Sequence, residues 1–145
     1  MFDLDPHSLH VLVVDDHMVI CRLLENFLRA NGFEHIDIAA DYAEAAHKME
    51  FNKYDIVFLD WNLPGKSGYA LMQELREARE HDATALVMVT AESEERHVVE
   101  ALKAGATAYI VKPVARETFD KNLHKVIGWL SRVRSNMHYT KGAPA

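Results

Sequence analysis

Asp55-Ile-Val-Phe-Leu-Asp60-Trp-Asn-Leu-Pro64 sets an apolar run directly against a carboxylate and then turn residues. A run of this length with no polar alternation reads as a strand buried on both faces, which is how parallel sheets hold their strands. Asp60 then stands at the carboxyl edge of the sheet, where open α/β folds place their chemistry. A strand-end aspartate also caps turns, so one such run does not decide a function. Burying a carboxylate is costly, however, unless it is paired or holds a metal.

Three more runs end the same way. His10-Val-Leu-Val-Val-Asp15-Asp16 closes on two adjacent acids, Ala85-Leu-Val-Met-Val-Thr90 on a hydroxyl, and Ala108-Tyr-Ile-Val-Lys112-Pro113 on an ammonium. If the strands are parallel, Asp15, Asp16, Asp60, Thr90 and Lys112 gather on one edge. Chance could supply one of these residues at a strand end, but hardly the ordered set.

Between the runs lie helical patterns. Residues 18–31 place Ile20, Leu24, Phe27 and Leu28 on one face, with Gly32 as the stop. His35 to Ala40 alternates as a strand, and Tyr42 to Met49 is an alanine-rich helix. Gly68 to Arg79 carries Tyr69, Leu71, Met72 and Leu75 at helical spacing. Ser93 is placed to cap a helix with Glu94 and Glu95 in its first turn and Gly105 at its end. Phe119, Leu123, Val126, Ile127 and Leu130 mark a last amphipathic helix. Strict βα alternation with short connections predicts a flavodoxin-like (βα)5 fold, a doubly wound parallel sheet with strand order 2-1-3-4-5. In that order Asp15, Asp16 and Asp60 converge.

Composition suits one domain. The chain has 145 residues, 49% of them apolar, and a net charge of −6. Its apolar runs are too short to span a bilayer, and the start lacks the basic residues of a signal peptide, so a cytoplasmic protein is expected. Cys21, the single cysteine, has no internal disulfide partner and is expected on the buried side of a helix. All the acids precede residue 121, after which come Lys121, Lys125, Arg132, Arg134 and Lys141. The acidic body argues against nucleic-acid binding, and the basic end suits the C-terminus of a helix. The nine histidines show no metal-ligand spacing, and His7 and His10 form only an isolated pair. Met18, Met72 and Met88 are expected in the core, and Trp129 at its rim.

Three carboxylates at close quarters raise one another's pKa unless a cation compensates them. Few, hard oxygen ligands favour Mg²⁺, which keeps waters and accepts phosphate oxygens. Lys112 adds a second positive charge and Thr90 a hydroxyl donor. A cation, an ammonium, a hydroxyl and an ionised carboxylate nucleophile together describe a phosphoryl-transfer site, with Asp60 as the attacking group.

The chain resembles the receiver domain of two-component response regulators, and the stand-alone chemotaxis receivers most of all. The likeness covers residues 10 to about 130. It rests on Val13-Val14-Asp15-Asp16, on Leu59-Asp60-Trp61-Asn62-Leu63-Pro64 with Gly68 after it, on Val89-Thr90-Ala91, and on Tyr109-Ile110-Val111-Lys112-Pro113. The resemblance implies that Asp60 accepts a phosphoryl group from a kinase phosphohistidine. It implies that Asp16, Asp60 and the Asn62 main-chain carbonyl ligate Mg²⁺ directly, with Asp15 acting mainly through water. Thr90 and Lys112 match the pair that contacts the acyl phosphate. Thr90, Tyr109 and Pro113 match the switch positions, with a cis Lys112–Pro113 bond. Asn62 and Glu92 match the positions that tune self-dephosphorylation.

The expected organisation is an N-terminal extension (1–9), a receiver domain (10–130) and a C-terminal tail (131–145). The expected function is that of a single-domain response regulator, not an enzyme acting on a separate substrate. Its partners are then a sensor histidine kinase or histidine phosphotransfer protein, and a target docking on the fourth helix, fifth strand and fifth helix. Chemotaxis-like output comes first, and a phosphorelay intermediate or kinase-regulating adaptor is the alternative. An aspartyl phosphatase of the haloacid-dehalogenase type fits less well, because Asn62 stands where that family needs a second acid. A receiver fragment of a DNA-binding regulator fits only if further chain follows, since the last fifteen residues are too few for a helix-turn-helix.

Overall fold

The computed structural model describes residues 4–142, so Met1 to Asp3 and residues 143–145 of the expected extension and tail lie outside the described residues. After a 3-10 turn at Pro6–Ser8, the elements run β1 (His10–Val14), α1 (Met18–Ala30), β2 (His35–Ala39), α2 (Tyr42–Phe51), β3 (Ile56–Leu59) and α3 (Gly68–Glu77). A second 3-10 turn at Arg79–His81 leads to β4 (Ala85–Thr90), α4 (Glu95–Lys103), β5 (Ala108–Val111) and α5 (Arg116–Gly142). The five strands are all parallel, in the order β2-β1-β3-β4-β5.

Alternation along each strand divides the core into two layers. Val11, Val13, Ile56, Phe58, Val87, Val89 and Ile110 face one way, against Cys21, Leu24 and Leu28 of α1 and Phe119, Leu123 and Val126 of α5. Leu12, Val14, Val57, Leu59, Leu86 and Met88 face the other, against Ala45 of α2, Leu71, Met72 and Leu75 of α3, and Ala101 of α4. The three central strands are therefore buried on both faces, apart from His10 at the start of β1. This is why β3 and β4 show no polar alternation in the sequence.

Cys21 is fully buried, and burial, followed by the nearby Asp15 charge, pushes its thiol up to about 11. Met72 and Met88 are fully buried as expected, but Met18 is 54% exposed. It is the first residue of α1, and a helical side chain leans toward the N-terminus, here past the sheet edge. Ile20 and Phe27 are only partly buried against the core. Ser93 does not cap α4. The N-cap is Glu94, with no side-chain capping bond.

α5 runs on past Leu130 without a break. Arg134 on this extension pairs with Asp55, just ahead of β3, at 2.5 Å, and also donates to the Ala83 carbonyl at 3.4 Å. Asp55 further accepts the His10 backbone N–H at 2.7 Å. The helix end is thereby tied to the sheet edge away from Asp60.

Candidate functional site: an acidic pocket with one lysine

Strand register brings the acids together. Val14 lies opposite Leu59 in the β1–β3 ladder, and the Asp60 N–H continues it by donating to the Val14 carbonyl at 3.0 Å. On the other side, the Asp15 N–H donates to the Ala39 carbonyl at 3.0 Å. Asp15 and Asp60 thus stand side by side just past their strand ends, each 3% exposed. The Lys112 N–H extends the β4–β5 pairing to the Thr90 carbonyl at 2.9 Å. Its ammonium donates to Asp15 Oδ2 at 2.8 Å and to Asp60 Oδ2 at 2.9 Å. Burial alone would lower this ammonium's pKa, but the hydrogen bonds and charges of Asp15 and Asp60 outweigh it and hold it above the ordinary lysine value.

Asp16 completes the carboxylate cluster from the rim. Donor atoms of Asp15, Asp16, His17 and Asp60 all lie within 4.8 Å of one another. Carboxylate oxygens at this spacing, next to a single ammonium, fit a small hard divalent cation. His17 is a member that the histidine spacing did not reveal. Its Nδ1 is 3.1 Å from Asp15 Oδ1 and 3.2 Å from Asp16 Oδ1, and its N–H donates to Asp15 Oδ1 at 2.9 Å. The signal was present in its place directly after the acid pair, not in any spacing to another histidine.

The β3–α3 connection closes tightly behind Asp60. The Gly68 N–H donates to the Trp61 carbonyl at 2.9 Å, and a Cβ on Gly68 would sit 1.8 Å from the Asp60 carbonyl oxygen. Glycine is required there because the first turn of α3 rests on the backbone of the acidic residue. The Asn62 N–H reaches back to Asp60 Oδ1 at 3.2 Å, and Ser67 caps α3 by accepting from Ala70 at 3.1 Å.

Thr90 is fully buried at the end of β4, and its hydroxyl accepts from the Glu92 N–H at 3.3 Å, within its own loop. The Tyr109 hydroxyl donates to the Glu92 carbonyl at 2.6 Å. Burial first, then the charges of Glu92 and Asp60, push that phenol up to about 12. Asn62 Nδ2 donates to Glu92 Oε1 at 2.9 Å. The pocket therefore gathers Asp15, Asp16, Asp60 and Lys112 directly, while Thr90, Tyr109 and Asn62 meet at Glu92 above it. The Lys112–Pro113 peptide is cis.

Among the described residues no helix is long and apolar enough to cross a membrane. Residues 11–124 match the response regulator receiver domain. The chain is 34% identical over 119 residues to the chemotaxis protein CheY-3 of Vibrio cholerae, covering 82% of this chain and 92% of that one. It is 31% identical over 116 residues to the chemotaxis protein CheY of Pseudomonas aeruginosa, covering 80% and 94%. Among solved structures, a CheY-like receiver domain protein from Methanospirillum hungatei superposes with a TM-score of 0.77 at 28% identity, over 86% of this chain and 98% of that one. Vibrio cholerae CheY4 gives a TM-score of 0.74 at 30% identity, over 81% and 98%. With the matching sheet order and acidic pocket, the chain belongs to the response regulator receiver domain family.

Proposed function

We propose that the protein is a response regulator that takes a phosphoryl group onto Asp60 from a sensor histidine kinase or a histidine phosphotransfer protein. The observation that carries this is one ammonium, Lys112, shared by two buried carboxylates, Asp15 and Asp60, at a parallel-sheet edge. In the transfer, the bond from phosphorus to the donor's histidine nitrogen breaks and one forms to an Asp60 carboxylate oxygen. Asp60 needs no base, because a carboxylate attacks without first giving up a proton. Asp16, Asp60 and the Asn62 main-chain carbonyl would hold Mg²⁺, with Asp15 acting through water, and the cation would supply positive charge to offset that of the transferred group. Lys112 stays with the phosphoryl oxygens, and Thr90 turns its hydroxyl to them.

That turn couples chemistry to output. Before that turn the Thr90 hydroxyl accepts from the Glu92 N–H, and the Glu92 carbonyl accepts from Tyr109. Moving Thr90 to the phosphate releases the loop that Tyr109 holds. The added charge so biases two packings of one element. The face built from α4, β5 and α5 then changes affinity for a target. Half-exposed Val99 and Leu102 on α4 and Val111 on β5 give that face an apolar surface. A motor-switch component of a chemotaxis-like system is the first target class. Water then attacks the acyl phosphate, with Asn62 and Glu92 orienting it, and ends the signal.

The test is incubation with acetyl phosphate. The expected result is a mass increase of one phosphoryl group with Mg²⁺ and none with a chelator in excess. Equal labelling in both conditions contradicts the proposal.

A further inference from the structure

Glu92 is held by three hydrogen bonds and approached by one further side chain. Its main chain is fixed by Thr90 and Tyr109, and its side chain by Asn62, at distances already given. The fourth contact is His97 of α4, whose Nδ1 lies 3.6 Å from Glu92 Oε2. That nitrogen is buried and makes no hydrogen bond among the described residues. The imidazole stands edge-on to Trp61, with ring centroids 4.9 Å apart at 70°. Trp61 itself stacks on Tyr69 at 4.6 Å and 13°. The ring is thus braced on one side by Trp61, itself backed by Tyr69, with a bare polar nitrogen near one carboxylate oxygen.

The carboxylate carries this constraint on to Asn62. A side-chain amide has a donor end and an acceptor end. Glu92 Oε1 takes the donor end, Nδ2, which leaves Oδ1 as the acceptor end without a partner among the described residues. One carboxylate oxygen bonds Asn62 and the other lies 3.6 Å from His97, and the amide cannot flip without losing its partner.

We infer that His97 is a positioning residue for the hydrolytic step, acting through Glu92 to present Asn62 Oδ1 to the attacking water. This rests on the proposed phosphorylation of Asp60. In that step the water oxygen bonds to phosphorus and the bond from phosphorus to Asp60 breaks. Asp60 leaves as a carboxylate, and the water's protons end on the phosphate and in solvent. Asn62 Oδ1 accepts a hydrogen bond from the water and fixes its line of approach. His97 touches neither the water nor the phosphate. The loss of His97 frees Glu92 to rotate, and the amide then samples both orientations.

The experiment is single-turnover decay of protein phosphorylated with acetyl phosphate, after removal of the donor, for the parent, His97→Ala, His97→Gln, Glu92→Ala and the double variant His97→Ala/Glu92→Ala. His97→Ala is expected to slow decay by about threefold to tenfold, the scale of one lost orienting contact. His97→Gln keeps a polar N–H beside Glu92 and is expected to decay within about twofold of the parent. The double variant is expected to decay no more slowly than Glu92→Ala alone, because His97 acts only through Glu92. Parent-like decay of His97→Ala, or independent effects in the double variant, overturns the inference. So does a failure of His97→Gln to restore the rate, since a purely packing role for the ring gives that result. If the parent takes no phosphoryl group, the phosphorylation proposal falls, and the inference falls with it.

Discussion

Lys112 Nζ lies 2.9 Å from Asp60 Oδ2 and closes a gap that three carboxylates could not close by themselves. The ammonium is 13% exposed and Asp60 scarcely at all, so the pair is only weakly screened. Replacing Lys112 with Met leaves Asp15 and Asp60 facing each other without a cation. We expect a loss of about 2 kcal/mol in urea unfolding, below the full cost of breaking a buried pair because the pocket opens to water at Asp16. Millimolar Mg²⁺ is expected to restore part of it, since a bound cation stabilises the folded state. A Lys112→Met variant as stable as the parent without Mg²⁺ contradicts this electrostatic picture.

The same ammonium sets a pH dependence. Its pKa rises on folding, because Asp15 and Asp60 outweigh the effect of burial. A group of this kind contributes its full stability below its unfolded value, near 10.5, and loses it as pH rises through the folded value. The stability difference between parent and Lys112→Met is therefore expected to be flat from about pH 8 to 10 and to shrink above that. A difference that grows with pH in the alkaline range reverses the assigned sign.

Gly68 packs its α-carbon on the Asp60 carbonyl. The methyl of Gly68→Ala would meet backbone at 1.8 Å, so the β3–α3 connection has to move. The expected cost is about 2–3 kcal/mol in thermal or urea unfolding, together with weaker Mg²⁺ binding, because the connection carries Asn62. Parent-like stability in this variant would mean that α3 approaches Asp60 less closely than described.

Trp61 adjoins the pocket and gives it an optical probe. In a Trp129→Phe background, Mg²⁺ is expected to change Trp61 emission, and Asp16→Ala is expected to weaken the titration severely. A titration unchanged by Asp16→Ala misplaces the cation.

Much of the fold and the pocket could be read from the chain, for a physical reason. A strand buried on both faces admits no polar residue, so the polar residues that end β1, β3 and β4 stood out, and parallel pairing then left them at one edge. The Asn62–Glu92 bond could not be read this way. It joins two loops thirty residues apart, and nothing local in either loop demands the other. Ser93 was misplaced for a related reason. Local propensity favours it as a cap, but Glu92 is tied to Thr90, Tyr109 and Asn62, and the helix starts only after that tethered loop. The ion pair of Arg134 with Asp55 was likewise invisible, because a basic helix end looks alike whether solvated or docked.

That ion pair makes its own prediction. Arg134→Ala is expected to lower stability by about 1 kcal/mol, since the pair is only partly shielded from water. It is expected to leave phosphoryl transfer and decay unchanged, because Asp55 lies at the opposite sheet edge from Asp60. Altered decay would make the α5 extension a regulatory element.

The most direct measurement is the site and chemistry of the label. Parent and Asp60→Asn are each incubated with acetyl phosphate and Mg²⁺, and the label is located by mass spectrometry after trapping the acyl phosphate. The expected result is a single phosphoryl group on Asp60 in the parent and none in the variant. Undiminished labelling of Asp60→Asn, or a parent label on any other residue, contradicts the assignment of Asp60 as the acceptor.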